Sequence, residues 1–354
     1  MESGIEDMNK RELDYIDTLR FLATFLIVFA HFDNECFNYF MHSTVTEKYF
    51  FPGHWLSFIL FGHTGKYALA ILCIISGFLT AMKYYRKEQC DVGAFVIGRY
   101  LRLMVPILFV NLTFLAYLLC TGGNGNVLDY IRIGLTPGNM ETNRNLWCIG
   151  AFFIGNLIVC LLCYLKNRTR FADWLYLPVL GILVLMGQIW VFAAVAGGLS
   201  YVVAVWCREK DFFRSWYLVG IVPILWLLIR GYESEFMYYR DILAGFIIMI
   251  TFYCQPILQK IFAFKHIRWI KKKSYSLFIV HGMTLFIVGP VWNLIRSWGI
   301  NGYYSIFITM FLMVFLFDFA IAVVVYYLAE VKLCSALQKV LLPSDRAVYQ
   351  GNEE

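Results

Sequence analysis

Residues 14–35 read DYIDTLRFLATFLIVFAHFDNE, and this stretch decides the fold class. An acidic start leads to Arg20, after which ten uncharged residues, FLATFLIVFA, precede His31. A helix rises ~1.5 Å and turns ~100° per residue, so Arg20 and His31 are expected ~16 Å apart along the axis and within ~20° of one face. An ionisable side chain inside an apolar span is costly and therefore indicates a functional position.

The composition of the whole chain is that of a membrane protein. Of its 354 residues, 60% are hydrophobic and 15% are charged, and the mean hydropathy is +0.65. A soluble domain of this length does not require so much apolar surface. The net charge of +6 indicates no nucleic-acid partner, because the lysines and arginines gather in short loops between apolar runs. The ten cysteines lack the spacing of a zinc site, so we predict no metal.

Apolar runs of about 20 residues, the length that crosses a bilayer, recur along the chain. They predict an all-α, polytopic transmembrane bundle of about ten spans, with span ranges 19–41, 65–84, 103–120, 146–165, 172–189, 191–207, 215–231, 240–260, 274–294 and 303–329. Residues 172–207 are too long for one crossing. We expect Gly187, Gly197 and Gly198 to break them into two short spans.

The basic residues predict the orientation of the bundle. The loops on the N-terminal side hold 23 of the 30 lysines and arginines, so both termini are expected in the cytoplasm. No small-residue cleavage site follows the first apolar run, which is therefore expected to remain as a span. We expect residues 1–343 to form a single transmembrane domain in the plasma or inner membrane, and residues 344–354 to form a polar tail.

A second basic cluster lies in GRYLRLMVP, residues 98–106. Arg99 and Arg102 are three residues apart and share one helical face at the predicted cytoplasmic entrance of the third span. Two guanidiniums in this arrangement suit a phosphate group. The alternative interpretation is that both are ordinary anchors of the positive-inside kind.

The last two predicted spans carry further polar candidates. The ninth begins KKKSYSLFIVH, residues 271–281, in which three lysines precede Ser274 and Tyr275. His281, at the end of this run, is either a hydrogen-bonded structural residue or a catalyst. Asp318 lies deep in the tenth span and requires a partner or water, whereas Glu330 is expected at the cytoplasmic boundary.

Acidic residues follow His31 along the chain. Glu35, at i+4, shares its helical face and is placed to orient the ring or raise its basicity. The alternative interpretation is that Asp33 and Glu35 only mark the outer boundary of the membrane.

The combined motifs resemble the acyltransferase 3 family of integral-membrane acyltransferases, over most of the chain. The motifs are YIDTLR with Arg20 and His31, ISGFL at 75–79, FVIGRYLRLMVP at 95–106, NLWCIG at 145–150, SYSLFIVH at 274–281 and YYLAEVK at 326–332. The resemblance implies transfer of an acyl group, most often acetyl, from cytoplasmic acyl-coenzyme A to a hydroxyl of a glycan or other envelope acceptor outside. Acyl-coenzyme A would be a donor substrate, and no permanently bound cofactor is expected.

The resemblance also suggests roles for the candidates. Arg20, Arg99 and Arg102 would hold the coenzyme A phosphates. His31, assisted by Glu35, would act as general base on the acceptor hydroxyl or briefly accept the acyl group. Ser76, Ser274 or Tyr275 would donate hydrogen bonds to the thioester oxygen. Trp147 would stack on a sugar, unless it is an interfacial anchor.

Two other classes compete with the enzyme. In a small-solute transporter or sensor, Asp318 and His281 would line a solute or proton path. The two halves of the chain show no matching pattern of broken helices, which counts against this class. A membrane scaffold without chemistry does not explain ionisable residues at depth. The sequence specifies neither the acceptor nor the oligomeric state.

Overall fold

The computed structural model describes residues 2–32, 64–85, 91–139, 146–166, 168–169, 172–210, 237–283 and 285–342. Every regular element in these ranges is helical, as the apolar runs predicted. The helices are α1 Glu2–His31, α2 Thr64–Tyr84, α3 Val92–Cys120, α4 Val127–Leu135, α5 Cys148–Lys166, α6 Tyr176–Leu185, α7 Ile189–Glu209, α8 Met237–Cys254, α9 Pro256–Phe262, α10 Arg268–Lys271, α11 Ser274–Val280, α12 Leu285–Ser297, α13 Tyr303–Val325 and α14 Cys334–Leu341.

Shorter irregular elements join some of these helices. They are the 3-10 turns Ala172–Leu175, Lys265–Ile267 and His281–Met283, and the π-helical segment Tyr326–Leu333 between α13 and α14. The predicted span 274–294 is therefore divided at His281 into α11 and α12.

Within the described ranges, five helices are long and apolar enough to cross a membrane. They are Lys66–Tyr84, Val92–Cys120, Cys148–Lys166, Ile189–Glu209 and Ser305–Leu341. A sixth candidate is the pair Tyr238–Cys254 and Pro256–Phe262, which is bent by 101°. The total of ten spans and the cytoplasmic termini stay predictions, and the predicted span 215–231 lies outside the described residues.

The predicted break in residues 172–207 is confirmed at Gly187 but not at the other two glycines. Helix α6 ends at Leu185 and α7 begins at Ile189, and between them Gly187 has a φ of +65°, which glycine adopts without strain. Gly197 and Gly198 lie inside α7, so the prediction that they break the chain was wrong. A Cβ on Gly197 would lie 2.1 Å from the carbonyl oxygen of Ile74, so its role is close packing.

The chain divides into two compact units. Unit 1 comprises residues 1–27, 51–92 and 154–272, and unit 2 comprises residues 28–50, 93–153 and 273–354. The single domain over residues 1–343 stays a prediction.

Unit 1 is built on the packing of α2, α7 and α8. The backbones of α2 and α7 approach closely, since a Cβ on Gly77 would lie 1.8 Å from the carbonyl oxygen of Ala194. Small residues at a helix contact, such as Ser76 and Gly77, allow such an approach.

In unit 2, α11 and α12 pack against α13. The last turn of α1 also joins this unit, because the rings of Phe29 and Phe32 make edge-to-face contacts with Phe307 and Phe311. The centroid separations are 5.1 to 5.7 Å. These aromatic contacts hold the end of α1 that carries His31.

Candidate functional site

Helix α1 carries both Arg20 and His31. It is continuous from Glu2 to His31, so the prediction that Arg20 and His31 share one helix is confirmed. In unit 1, Arg20 Nη1 lies 3.3 Å from Asp17 Oδ1 one turn earlier, and both side chains are partly exposed. The Arg20 guanidinium is therefore accessible to solvent, and its ion pair with Asp17 restrains its position.

The middle of α1 is tied to the chain around α10. Lys271 is only 1% exposed, and its Nζ donates at 3.0 Å to both the carbonyl oxygen of Asp14 and Oγ1 of Thr18. Arg268 Nε lies 3.4 Å from Asp14 Oδ1. Burial lowers the pKa of the Lys271 ammonium, and the charges of Asp14 and Asp17 act in the opposite direction. The sequence did not distinguish Lys271 from the two lysines that follow it.

Ser76, a predicted hydrogen-bond donor to substrate, belongs to a buried polar trio in unit 1. Asn156 Nδ2 donates to Ser76 Oγ at 2.8 Å, and Thr80 Oγ1 lies 2.5 Å from Asn156 Oδ1. Thr80 Oγ1 also lies 3.0 Å from the Ser76 carbonyl oxygen. Asn156 is fully buried, and sequence reasoning missed it. The sequence did contain a sign of it, because Asn156 is an amide side chain inside the apolar run that forms α5.

Unit 2 brings two predicted site residues together. The imidazole rings of His31 and His281 have centroids 5.1 Å apart and planes 43° apart. His281 is 5% exposed, and its Nδ1 lies 2.5 Å from the carbonyl oxygen of Phe278. Because a carbonyl only accepts, we assign the proton of His281 to Nδ1, which leaves Nε2 as the accepting nitrogen. The histidine pair therefore has one ring whose orientation is fixed by the backbone of α11.

Aromatic rings surround the His281 side of this pair. The Phe278 ring centroid lies 5.5 Å from that of His281, and Phe152 at the start of α5 lies 6.4 Å from Phe278 in an edge-to-face arrangement. Such an apolar surrounding excludes water and strengthens electrostatic interactions within it.

The two predicted arginines of α3 lie in a second polar neighbourhood of unit 2. The hydroxyl of Tyr275 donates to the carbonyl oxygen of Leu103 at 2.7 Å, which joins α11 to the turn that carries Arg102. Arg99 and Glu330 both interact electrostatically with Tyr275. Arg102 is exposed and Arg99 is half-buried, so one guanidinium faces solvent and the other lies deeper.

Glu330 lies in the π-helical segment and contacts α11. The hydroxyl of Ser276 donates to its carboxylate. Lys273 is 1% exposed, and its Nζ lies 4.7 Å from the ring centroid of Tyr326 and 5.3 Å from that of Tyr327. π-helical turns are rare and occur frequently at functional sites. No sequence pattern predicted the π-helical segment Tyr326–Leu333.

Three of the four remaining candidates lie within the described residues. Ser274 is buried at the first position of α11. Asp318 is 1% exposed, and neither of its carboxylate oxygens has a hydrogen-bond partner among the residues that the structure describes. Trp147 is 37% exposed just before α5. Glu35 lies outside the described residues.

In the part of the chain that the structure describes, no three His, Cys, Asp or Glu residues are grouped so as to hold a metal ion.

The fold and these polar groups define a multi-pass, all-helical membrane protein with ionisable residues inside its helical units. A family model described as an acyltransferase domain matches residues 13–329. The chain therefore belongs to the acyltransferase 3 family, as the motifs predicted, and it carries the domain of a membrane acyltransferase. No curated protein and no solved structure matches the chain.

Proposed function

We propose that this acyltransferase moves an acetyl or other short acyl group from cytoplasmic acyl-coenzyme A to a hydroxyl of an extracytoplasmic glycan or other envelope acceptor. The proposal rests chiefly on one observation, the approach of His31 and His281 to 5.1 Å within unit 2. These residues are far apart in sequence, and an imidazole is the side chain best suited to proton transfer near neutral pH.

In the proposed reaction, His31 removes the proton from the acceptor hydroxyl while the hydroxyl oxygen attacks the thioester carbonyl carbon. The new C–O bond forms, the C–S bond breaks, and the proton passes from His31 to the departing thiolate of coenzyme A. In a variant of this route, an imidazole nitrogen of His31 attacks the thioester carbon, the C–S bond breaks and the coenzyme A thiolate leaves. The acceptor hydroxyl oxygen then attacks the acyl carbon, the C–N bond breaks, and the hydroxyl proton passes to the freed imidazole. His281 is proposed to position His31, because its own ring is fixed on the Phe278 carbonyl.

Arg99 and Arg102 are the proposed contacts of the coenzyme A phosphates. Guanidiniums on one helical face bind phosphate through two parallel hydrogen bonds, and the exposure of Arg102 suits a ligand that arrives from solvent. Arg20, also partly exposed, is proposed as a further phosphate contact. Glu330 and Ser276 are proposed to hold α11 in place beside these arginines.

The other predicted roles remain part of the proposal. Glu35 would orient His31, and Trp147 would stack on the acceptor sugar. Ser76 or Ser274 would stabilise negative charge on the thioester oxygen as it develops. Tyr275 is the weakest of these donors, because its single hydroxyl proton serves the Leu103 carbonyl in this structure.

The decisive experiment uses the full chain in lipid nanodiscs with acyl-coenzyme A labelled on the acyl group. We expect label to appear on hydroxyl groups of an envelope glycan fraction, with one free coenzyme A thiol released for each label transferred. A donor that is neither hydrolysed nor used by the protein in the presence of that fraction would contradict the proposal.

The transporter alternative is favoured by one observation, the buried carboxyl of Asp318 without a partner among the described residues. Unpaired acidic side chains inside a membrane frequently mark ion or proton pathways. If the protein is a transporter, Asp318→Asn abolishes solute flux in proteoliposomes and no label is transferred. For the proposed enzyme, we expect Asp318→Asn to transfer label at a rate within about threefold of the wild type, since its carboxylate oxygens make no hydrogen bond to a histidine or arginine among the described residues.

A further inference from the structure

The chain makes a fixed right-angle bend at the end of α8. Between Cys254 and Pro256 its direction changes by 101°. Gln259 Nε2 donates to the carbonyl oxygens of Phe252 at 3.0 Å and Tyr253 at 2.9 Å, which the last turn of a helix leaves unsatisfied. Pro256 suits the first position of α9, where no backbone donor is needed. The rings of Phe252 and Phe262 pack edge to face at 4.8 Å.

Beyond the bend, residues 255–272, here called the elbow, expose apolar side chains. Ile257 is 62% exposed, Ile261 55%, Phe264 47% and Trp269 51%. Ile257 and Ile261 are four residues apart and share one face of α9, which has no buried residue. Apolar side chains grouped on a rigid surface in this way indicate contact with a membrane or a partner.

Exposed cations border these apolar side chains. Lys260 and Lys272 are both exposed, and Arg268 is 44% exposed while it also contacts Asp14. Helices that lie in the membrane interface combine an apolar face with lysine and arginine in this way, and tryptophan is enriched at the same depth. The positive-inside rule predicts that the elbow is on the cytoplasmic side, where the leaflet carries anionic lipid.

We propose that the elbow lies in the headgroup region of the cytoplasmic leaflet and binds anionic phospholipid. Lys260 and Lys272 contact the lipid phosphates, while Ile257, Ile261 and Phe264 enter the upper acyl-chain region. The cations favour lipid over a second copy of the elbow, because two copies facing each other would bring like charges together. This inference concerns lipid binding alone and does not depend on the proposed acyl transfer.

The test measures retained lipid by native mass spectrometry of the full chain after equilibration with phosphatidylglycerol or phosphatidylcholine. The variant Lys260→Glu/Lys272→Glu is compared with Lys210→Glu/Lys339→Glu, which changes the same charge at two exposed lysines outside the elbow. A cation near an anionic surface contributes about a fivefold preference, so we expect wild type and control to prefer phosphatidylglycerol by at least about fivefold. The elbow variant is expected to lose that preference.

A second measurement locates the elbow in the membrane. Brominated phosphatidylglycerol should quench part of the tryptophan fluorescence of the wild type in nanodiscs, and Trp269→Phe should remove that part. Equal retention of both lipids by the wild type, loss of preference in the control variant, or quenching unchanged by Trp269→Phe would each overturn the proposal. So would displacement of the bound lipid by inorganic phosphate, or a wild type whose elbows cross-link to each other in nanodiscs. If the elbow variant does not fold, the wild-type lipid comparison and the Trp269→Phe measurement decide the matter.

Discussion

Units 1 and 2 differ in how their buried polar groups are bonded. In unit 1, Lys271 donates to Asp14 and Thr18, and Asn156 is held between Ser76 and Thr80. In unit 2, two imidazoles approach each other in an aromatic surrounding, and the carboxyl of Asp318 has no hydrogen-bond partner among the described residues. Polar groups that are satisfied by one another fix a structure, whereas ionisable groups brought together in an apolar surrounding are typical of sites that act on a ligand.

From this comparison we expect substitutions at the histidines and arginines of unit 2 to reduce activity, and substitutions in the Lys271 network of unit 1 to reduce stability. Activity is measured as acyl transfer for each folded molecule, and stability as unfolding in detergent.

Apart from the effect of substituting His31, the largest of these expected effects concerns the arginines of α3. Arg99→Ala/Arg102→Ala removes the proposed phosphate contacts, and a hydrogen bond to a charged group contributes about 1.5–3 kcal/mol, so we expect the KM for acyl-coenzyme A to rise by at least about tenfold. Lys210→Ala/Lys339→Ala, at two exposed lysines, serves as the matched loss of two positive charges. An unchanged KM in the double variant would remove both arginines from donor binding.

The matching substitution in unit 1 is Lys271→Met, which keeps the length of the side chain but removes its donors. It leaves the Asp14 carbonyl and the Thr18 hydroxyl without the ammonium, so we expect a loss of about 1–3 kcal/mol in unfolding free energy. Lys272→Met, at the exposed neighbour, is the control. If Lys271→Met instead lowers the transfer rate of fully stable protein, the assignment of this network to structure is wrong.

The smallest effect is expected at the turn between α6 and α7. Gly187 has a φ of +65°, which costs other L-residues about 1–2 kcal/mol, so Gly187→Ala should lower stability by about 1 kcal/mol. In Gly181→Ala the new methyl group meets open space inside α6, where alanine is the better helix former, and stability should rise slightly. Equal effects of both substitutions would show that the backbone of Gly187 imposes no constraint.

The sequence predicted the parts of the fold that depend on local composition. Apolar runs of membrane length located α2, α5 and α7 to within a few residues, because backbone groups in lipid must be satisfied within one helix. The motif resemblance also identified the family, and the candidates His31 and His281 lie together.

Features that depend on contacts between distant residues were missed. The burial of Lys271 follows from its bonds to Asp14 and Thr18 in the middle of α1, which a run of three lysines does not specify. The two inner glycines of α7 were misread for the same reason, since glycine both breaks helices and allows them to approach. The 101° bend at Gln255 depends on the Gln259 side chain, which caps α8 from beyond its end.

The central claim is that His31 carries the proton transfer in unit 2. It is tested most directly by the rate of acyl transfer of His31→Ala in nanodiscs, with the exposed His266→Ala as the matched control. General-base catalysis contributes about 100- to 10,000-fold, so His31→Ala should lose at least about 100-fold in rate while the control keeps the wild-type rate. A folded His31→Ala protein that transfers the acyl group at the wild-type rate would contradict the account.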